Sequence, residues 1–317
     1  MSFVNVAGIN LGPSPRGFAS DHNFTHNFTI DPQALKTSFD RYPLGLQHNL
    51  HQLELFSKES LASLARRYQG RPEDYFVAGS APAPGTEFYA VPSSIRDPHL
   101  VLESLDTAPC RLLLKRPENY DPHFRLLLDR LFAEVVALQP ELANEKIVRL
   151  ESAVFFTSAA TTTPFHFDPE IAFFSQIVGE KIYHVFAPDV LTESELEDFY
   201  VRNVINIGQV DLGRRNPASE HVFRLSPGFG LHQPQNAPHW VETAAGRSIS
   251  YSFVFETERS RAVGRARSFN HTLRRLGISP ASPGVHPGMD ALKAESLKLA
   301  RPVRKQLARV KHQVVRH

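Results

Sequence analysis

Cysteine is almost absent from this sequence, and long apolar runs are absent altogether. Cys110 is the only cysteine among 317 residues, which excludes an intrachain disulfide and a zinc site built from several thiolates. No run of about 18 apolar residues occurs, so we expect no transmembrane helix. The first residues lack a basic start followed by an apolar core, so we expect no signal peptide. A protein of the reducing cytoplasm without membrane contact is therefore predicted.

The apolar residues that are present suffice for one large domain or for one domain with appendages. Hydrophobic residues make up 42% of the chain, and 23 residues are phenylalanine. At this length, such a composition can bury a sizeable core. An extended, coreless chain is thus excluded as a description of the whole sequence.

Charge is distributed unevenly along the chain. Residues 1–256 contain 21 Lys and Arg against 30 Asp and Glu, whereas residues 257–317 contain 14 against 3, although the net charge is only +2. This asymmetry indicates an anionic partner, such as nucleic acid, or docking within the protein. Because no aromatic residue for base stacking follows Phe269, we favour a helical appendage that docks on the acidic body or makes a homodimer. The basic residues concerned are Arg265, Arg267, Arg274, Arg275, Arg304, Lys305 and Arg309.

The apolar pattern divides the chain into three regions. Residues 1–145 form an N-terminal α/β region that packs on the next one. Residues 146–257 alternate short β-type stretches with turns, which indicates an antiparallel sandwich or jelly roll. Residues 258–317 form a basic helical segment, with helices over 271–276 and 290–299. The predicted architecture is therefore mainly β, with helices towards both ends.

Local signals place individual elements within these regions. Helices are predicted over 57–69 and 121–138, with Ser57 and Asp121 as their N-caps. Strands over 172–178 and 181–186 flank Gly179 and Glu180, so we predict a tight hairpin there. A further strand is predicted over 200–210, because β-branched and aromatic residues alternate in it.

The most informative motif is a histidine and an aspartate that lie two positions apart in a β-type stretch. His166 and Asp168 alternate with Phe165 and Phe167, so the polar pair shares one face of a strand. His239 follows 73 positions after His166 and also lies in a β-type stretch. Two imidazoles and one carboxylate on one side of an ion form the facial triad of non-heme Fe(II) oxygenases. With 15 histidines and 33 acidic residues, a chance pair is the alternative.

Two longer stretches carry a resemblance to a known family. HFDPEIAFFSQIVGEKIYHVFAP (166–188) and PGFGLHQPQNAPHWVE (227–242) resemble the JmjC-type and cupin-like Fe(II)/2-oxoglutarate oxygenases, and within them the asparaginyl hydroxylase of the hypoxia pathway. The likeness covers roughly residues 145–257. It implies a double-stranded β-helix, the cupin-like form of the jelly roll. The chain departs from that hydroxylase at Ala172, where the hydroxylase has an asparagine near the iron, and at Phe229, where an acidic residue is frequent.

The resemblance also implies roles for individual residues. His166, Asp168 and His239 would be the iron ligands. Lys181 would pair with the distal carboxylate of 2-oxoglutarate, and Thr163 would hydrogen-bond the same carboxylate. A dianionic keto acid bound to iron at one end needs a fixed cation at the other. Arg247 is a rival cation for this role, although its position in a turn favours a solvated residue.

The implied activity is the hydroxylation of a C–H bond with conversion of 2-oxoglutarate and O2 to succinate and CO2. Hydroxylation of a carbon next to nitrogen would lead to demethylation instead. Two other classes stay open: a non-catalytic, cupin-like binding protein, and a metal-dependent cupin enzyme that needs no keto acid. No motif identifies the substrate, which is a protein side chain or a small molecule.

Overall fold

Two antiparallel sheets run through the residues that the computed structural model describes, which are 27–94, 96–107, 109–202 and 207–298. The sheets belong to a compact unit that comprises the described residues up to Val190 and residues 207–256. A second, smaller unit comprises residues 191–202 and 257–298. The predicted boundaries at residues 145 and 257 stay a prediction.

The strands are β1 (Phe28–Thr29), β2 (Leu44–His48), β3 (Tyr75–Ala78), β4 (Ser93–Ser94), β5 (Arg111–Lys115), β6 (Ile147–Thr157), β7 (Thr162–His166), β8 (Ile171–Val178), β9 (Lys181–Phe186), β10 (Glu220–Leu225), β11 (Phe229–Gln233), β12 (His239–Thr243) and β13 (Ser248–Thr257). The helices are α1 (Pro32–Ser38), α2 (Lys58–Arg67), α3 (Pro98–Glu103), α4 (Pro122–Leu138), α5 (Glu193–Arg202), α6 (Glu258–Arg275) and α7 over residues 287–298. No helix of the described ranges is both long and apolar enough to cross a membrane.

The larger unit is a sandwich with two apolar layers. Its large sheet has the strand order β1-β2-β11-β8-β13-β6-β5-β3-β4, and its small sheet has the order β10-β9-β12-β7. Side chains from both sheets, including Phe174, Tyr183 and Val241, meet in the inner layer. Helices α2 and α4 cover the outer face of the large sheet with residues such as Leu64 and Phe132. The predicted jelly-roll architecture is therefore confirmed.

The N-caps of the two main helices lie where the sequence predicts them. The Ser57 hydroxyl accepts a hydrogen bond from the Ser60 amide, at 3.2 Å, and α2 begins at the next residue. The Asp121 carboxylate accepts one from the His123 amide at 2.9 Å, and Pro122 takes the first position of α4. Each cap satisfies an amide that the helix itself leaves unbonded.

The predicted hairpin around Gly179 is wrong, although both strands exist. β8 pairs with β11 and β13, whereas β9 pairs with β10 and β12 in the other sheet. Gly179 and Glu180 thus form a corner at which the chain crosses from one sheet to the other. Gly179 has φ +71°, and a Cβ there would lie 2.2 Å from the carbonyl oxygen of Arg247. Only glycine fits this corner without strain.

The predicted strand over 200–210 is wrong in its described parts: α5 covers residues 193–202, and residues 207–210 contain only an isolated β-bridge at Gly208. Residues 203–206 lie outside the described residues. The Thr192 hydroxyl accepts a hydrogen bond from the Glu195 amide, and the Glu195 carboxylate accepts one from the Thr192 amide at 2.9 Å. This reciprocal pair is a capping box, whose T-x-x-E pattern is visible in the sequence. The cap outweighs the β propensity of Phe199, Tyr200 and Val201.

The smaller unit pairs its basic and acidic residues with one another. Helix α6 starts at Glu258 rather than at the predicted residue 271, because Thr257 and Ser260 form a capping box. Arg267 donates two hydrogen bonds to the Glu193 carboxylate of α5, and Arg274 donates one to that of Glu197. Arg265 pairs in the same way with Glu258. The predicted basic residues Arg304, Lys305 and Arg309 lie outside the described residues.

Candidate metal centre

The inner face of the small sheet brings His166, Asp168 and His239 together. His166 ends β7 and lies directly opposite His239, which begins β12. Oδ2 of Asp168 lies 3.8 Å from Nε2 of His166 and 3.7 Å from Nε2 of His239. One ligand atom from each residue lies within 4.8 Å of the others, and within the described ranges no other such group of three occurs. The end of β7, the turn that follows it and the start of β12 thus form the facial arrangement.

Backbone carbonyls orient both imidazoles. Nδ1 of His166 lies 2.7 Å from the carbonyl oxygen of Pro164, and Nδ1 of His239 lies 3.1 Å from that of Ala237. When Nδ1–H donates to a carbonyl, the lone pair of Nε2 is free for a metal ion. The nitrogens that face Asp168 are therefore the ones that can bind a metal.

Burial keeps the two imidazoles neutral. It lowers the pKa of His166 to about 4, and together with the neighbouring His166 ring it lowers the pKa of His239 to about 4. Burial raises the pKa of Asp168, while the nearby His239 and Arg149 act in the opposite direction. Among the described residues, no lysine or arginine pairs directly with Asp168. Two neutral imidazoles around this carboxylate fit a divalent ion, which would hold the carboxylate in its charged form.

Backbone hydrogen bonds from two segments hold the turn around Asp168. Phe167 and Gly208 exchange two backbone hydrogen bonds of 3.0 and 2.7 Å. A Cβ at Gly208 would lie 2.1 Å from the Phe167 ring, so this approach requires glycine. On the other side the Asn236 amide donates to the carbonyl oxygen of Asp168 at 2.9 Å. These contacts fix the turn that carries the carboxylate.

Buried charge lies beside the same turn. Glu170 pairs with Arg149, whose guanidinium also contacts Glu151 and Glu256. Burial raises the pKa of Glu170 to about 8, against the effect of Arg149. Arg149 acts electrostatically on Asp168 as well. Arg149 therefore connects the metal-facing turn to strands β6 and β13.

Lys181 lies on the same inner face as the histidines. In the pairing of β9 with β12, Val185 is opposite His239, Tyr183 is opposite Val241 and Lys181 is opposite Thr243. Residues at alternate positions share a face, so Lys181 points inward. Only 4% of its surface is exposed, and its Nζ lies 5.4 Å from the ring centre of Phe174.

Lys181 has no acidic partner among the described residues. Burial, together with the positive charge of Arg111, lowers its pKa to about 7. A buried ammonium without a counterion is unfavourable, and proteins usually pair it. An anion that binds in this pocket would supply the missing charge.

A β-bulge places Thr163 on the inner face. Strict alternation would put Thr163 and His166 on opposite faces, because they are three residues apart. In the structure His239 pairs with His166, but Val241 pairs with Thr163, so β7 contains one extra residue between the two pairs. The half-buried Thr163 therefore shares the face of both histidines.

Arg247 is not brought to this face. It lies beyond the end of β12, whereas His239 begins that strand. Its side chain is 46% exposed and pairs with the exposed Asp106 at 3.1 Å. This is the environment of a solvated turn residue, and we leave Arg247 out of the site.

Sequence reasoning missed two groups near the triad. The ring of Phe88, in a single helical turn over Phe88–Ala90, packs 4.9 Å from the His166 ring. The Arg111 guanidinium lies over the same Phe88 ring, 5.7 Å from its centre. The signal for Arg111 was its charge within a run of buried strand residues. Phe88 carried no comparable signal.

No protein-family model and no curated protein matches the chain. A solved structure of YcfD from Escherichia coli is 19% identical, with a TM-score of 0.50, over 87% of this chain and 69% of that one. A second structure, described as the ribosomal oxygenase YcfD, is 18% identical over 87% and 68% with a TM-score of 0.49. A third, with cobalt and 2-oxoglutarate, is 18% identical over 86% and 68%, also at 0.49. The first likeness shows that this chain shares the YcfD fold.

Proposed function

We propose that this chain is an Fe(II)- and 2-oxoglutarate-dependent dioxygenase that hydroxylates a C–H bond of its substrate. The observation that carries the proposal is the shared inner face of the small sheet. It holds two neutral imidazoles, a carboxylate and a buried lysine without an acidic partner in the described ranges. Many activities use one fold, so the fold alone supports none of them.

His166, Asp168 and His239 would hold the metal from one side and leave its other positions open. When bound, Fe(II) with 2-oxoglutarate and O2 supplies the oxidation of the C–H bond, with release of succinate and CO2. Asp168 contributes the one negative charge of the protein ligands. The carbonyls of Pro164 and Ala237 keep each imidazole in the tautomer that binds through Nε2.

Lys181 and Thr163 would bind the distal carboxylate of the keto acid. Bringing a carboxylate next to Lys181 favours the charged ammonium, so binding raises the depressed pKa of the lysine. The Thr163 hydroxyl adds a hydrogen-bond donor on the same face. Phe155 and Phe174 border Lys181, at 5.8 and 5.4 Å, and exclude water, which strengthens the ion pair.

The substrate is a protein side chain or a small molecule, and hydroxylation and demethylation differ only in which C–H bond it presents. A homodimer through the C-terminal helices and a cytoplasmic location stay predictions. Nucleic-acid binding by the basic segment is less favoured, because Arg265, Arg267 and Arg274 already pair with carboxylates of the same unit.

The direct test is anaerobic titration of the purified protein with Fe(II) and 2-oxoglutarate, read by the weak visible absorption of the iron-bound keto acid. We expect this band in the wild type, its loss in His166→Ala and a weaker keto-acid affinity in Lys181→Ala. Arg247→Ala is the matched control for loss of a cation, and it should leave the titration unchanged.

Three results would contradict the proposal in different ways. Bound iron without the band would indicate a cupin chemistry that needs no keto acid. Absence of iron binding would favour a non-catalytic binding protein. An effect of Arg247→Ala as large as that of Lys181→Ala would mean that the cation of the keto-acid site has been assigned wrongly.

A further inference from the structure

Arg111 is a second buried cation without an acidic partner in the described ranges. Only 7% of its surface is exposed. Its Nε donates to the carbonyl oxygen of Gly79 at 2.9 Å, and its Nη2 is buried without a hydrogen bond. Burial alone lowers the pKa of Arg111 to about 10, which leaves the group charged at neutral pH. A donor of this kind is costly to bury unless something pairs with it.

Cross-strand contacts place Arg111 opposite Lys181, on the inner face of the large sheet. Arg111 pairs with Thr157 in the neighbouring strand. The Thr157 hydroxyl accepts a hydrogen bond from the Thr243 hydroxyl of the small sheet, at 2.9 Å. Thr243 in turn is directly opposite Lys181. Two threonines thus lie between the two cations and connect the sheets that carry them.

The guanidinium also lies near the metal ligands. It lies over the ring of Phe88, and that ring packs against His166. Its charge contributes to the lowered pKa values of both His166 and Lys181. Arg111 therefore lies close enough to both the triad and Lys181 to act on them electrostatically, next to the Phe88–Ala90 turn.

A count of charges shows what remains when the pocket is filled as proposed above. A divalent ion, the Asp168 carboxylate and the metal-bound carboxylate of the keto acid together are neutral. The distal carboxylate neutralises Lys181. Arg111 then remains as a buried positive charge without a direct anionic partner in the described ranges, and its Nη2 donor is unused.

We propose that Arg111 binds an oxyanion, a carboxylate or a phosphate, of the molecule that is oxidised. This inference rests on the proposed function. Nε is occupied by Gly79, so the two terminal nitrogens form the fork that receives the oxyanion. The bond to Gly79 and the Phe88 ring hold the guanidinium in place, which limits the entropy lost on binding. A substrate of this class would be held by its anionic end at Arg111.

The test uses the full chain loaded with Mn(II) and saturating 2-oxoglutarate, titrated calorimetrically with acetate, inorganic phosphate and neutral acetamide. We expect the wild type to bind acetate or phosphate but not acetamide. Arg111→Met should weaken that binding about tenfold or more, as loss of a charged hydrogen bond does. Arg111→Lys should restore part of it. Arg247→Met, the same substitution at an exposed arginine, should leave it unchanged.

The affinity for 2-oxoglutarate shows whether Arg111 binds the oxyanion of the substrate, as proposed, or the keto acid itself. We expect it to change less than twofold in Arg111→Met. A tenfold loss would assign Arg111 to the keto-acid site and overturn the proposal. Equal anion binding in wild type and Arg111→Met, or none in the wild type, would overturn it too. If the wild type fails to bind 2-oxoglutarate, the proposed function is wrong, and an Arg111-dependent acetate signal would then keep only the anion site.

Discussion

Buried cations beside the candidate metal centre (the inner pocket) and those of the smaller, helical unit (residues 191–202 and 257–298) differ in whether a carboxylate pairs with them. In the pocket, Lys181 and Arg111 are buried and have no acidic partner among the described residues. In the helical unit, Arg267 and Arg274 pair with Glu193 and Glu197, and the Glu197 side chain is 1% exposed. A paired charge contributes to the fold, whereas an unpaired buried charge works against it. The unpaired charges are therefore the better guide to ligand binding.

Replacing Lys181 by methionine should have the largest effect, and it should change keto-acid affinity and stability in opposite directions. We expect the dissociation constant of 2-oxoglutarate to rise about 10–100-fold, because one charged hydrogen bond is lost. The ligand-free protein should become more stable by about 1–3 kcal/mol, since an apolar side chain replaces an unpaired buried cation. Thermal melts and titrations of the same samples measure both. Lower stability with unchanged affinity would mean that Lys181 is a structural residue.

The pH dependence of stability and of keto-acid binding should reveal the contribution of Lys181. The pKa of Lys181 is lowered to about 7 from its usual 10.5. Between these values the unfolded chain binds more protons at this site, so its contribution to stability rises with pH across this window. Keto-acid binding should weaken over the same window, because the ammonium must first regain its proton. The difference between wild type and Lys181→Met, measured at pH 6, 8 and 9, isolates this contribution. A difference that does not change with pH would contradict it.

Arg267→Met makes the same kind of change in the helical unit and should act in the opposite direction. It leaves the partly buried Glu193 without its two hydrogen bonds from Arg267. We expect a loss of about 1 kcal/mol in the free energy of unfolding, because both partners keep some solvent exposure. Urea denaturation measures the change. A gain in stability would remove the distinction between paired and unpaired charge on which the comparison depends.

Arg247→Ala should have the smallest effect. Arg247 and Asp106 are both well exposed, so their ion pair contributes at most about 0.5 kcal/mol, and less at high salt. Melting curves at low and high ionic strength should nearly coincide for the wild type and the variant. A large loss of keto-acid affinity would return Arg247 to the site.

The sequence predicted the parts of the site that depend on local pattern. His166 and Asp168 lie in a clear alternation, and the jelly-roll class followed from short strands and turns. The side of the sheet on which Thr163 lies could not be predicted by alternation, because a bulge in β7 shifts the register. The pairing of β8 and β9 with different sheets depends on contacts far apart in the chain.

Arg111 and α5 were missed for different reasons. The environment of Arg111 exists only after β5, β6 and the Phe88–Ala90 turn have come together. No short window of the sequence contains these contacts. Helix α5 was missed although its capping box at Thr192 and Glu195 was visible. The strand prediction rests on the β-branched and aromatic residues from Tyr200 onward, and it leaves out a cap that satisfies two backbone groups.

The division of the pocket between two sheets has a consequence for how its selectivity can change. The triad lies on one sheet and its loop, so its spacing is set by hydrogen-bond register, which point substitutions seldom alter. Lys181 and Arg111 lie on different sheets, and the hydrogen-bonded hydroxyls of Thr157 and Thr243 connect their positions. Exchanging one of these threonines for a smaller or larger residue would therefore change the spacing of the two cations while the metal ligands keep their geometry. Specificity can diverge in this fold without loss of metal binding.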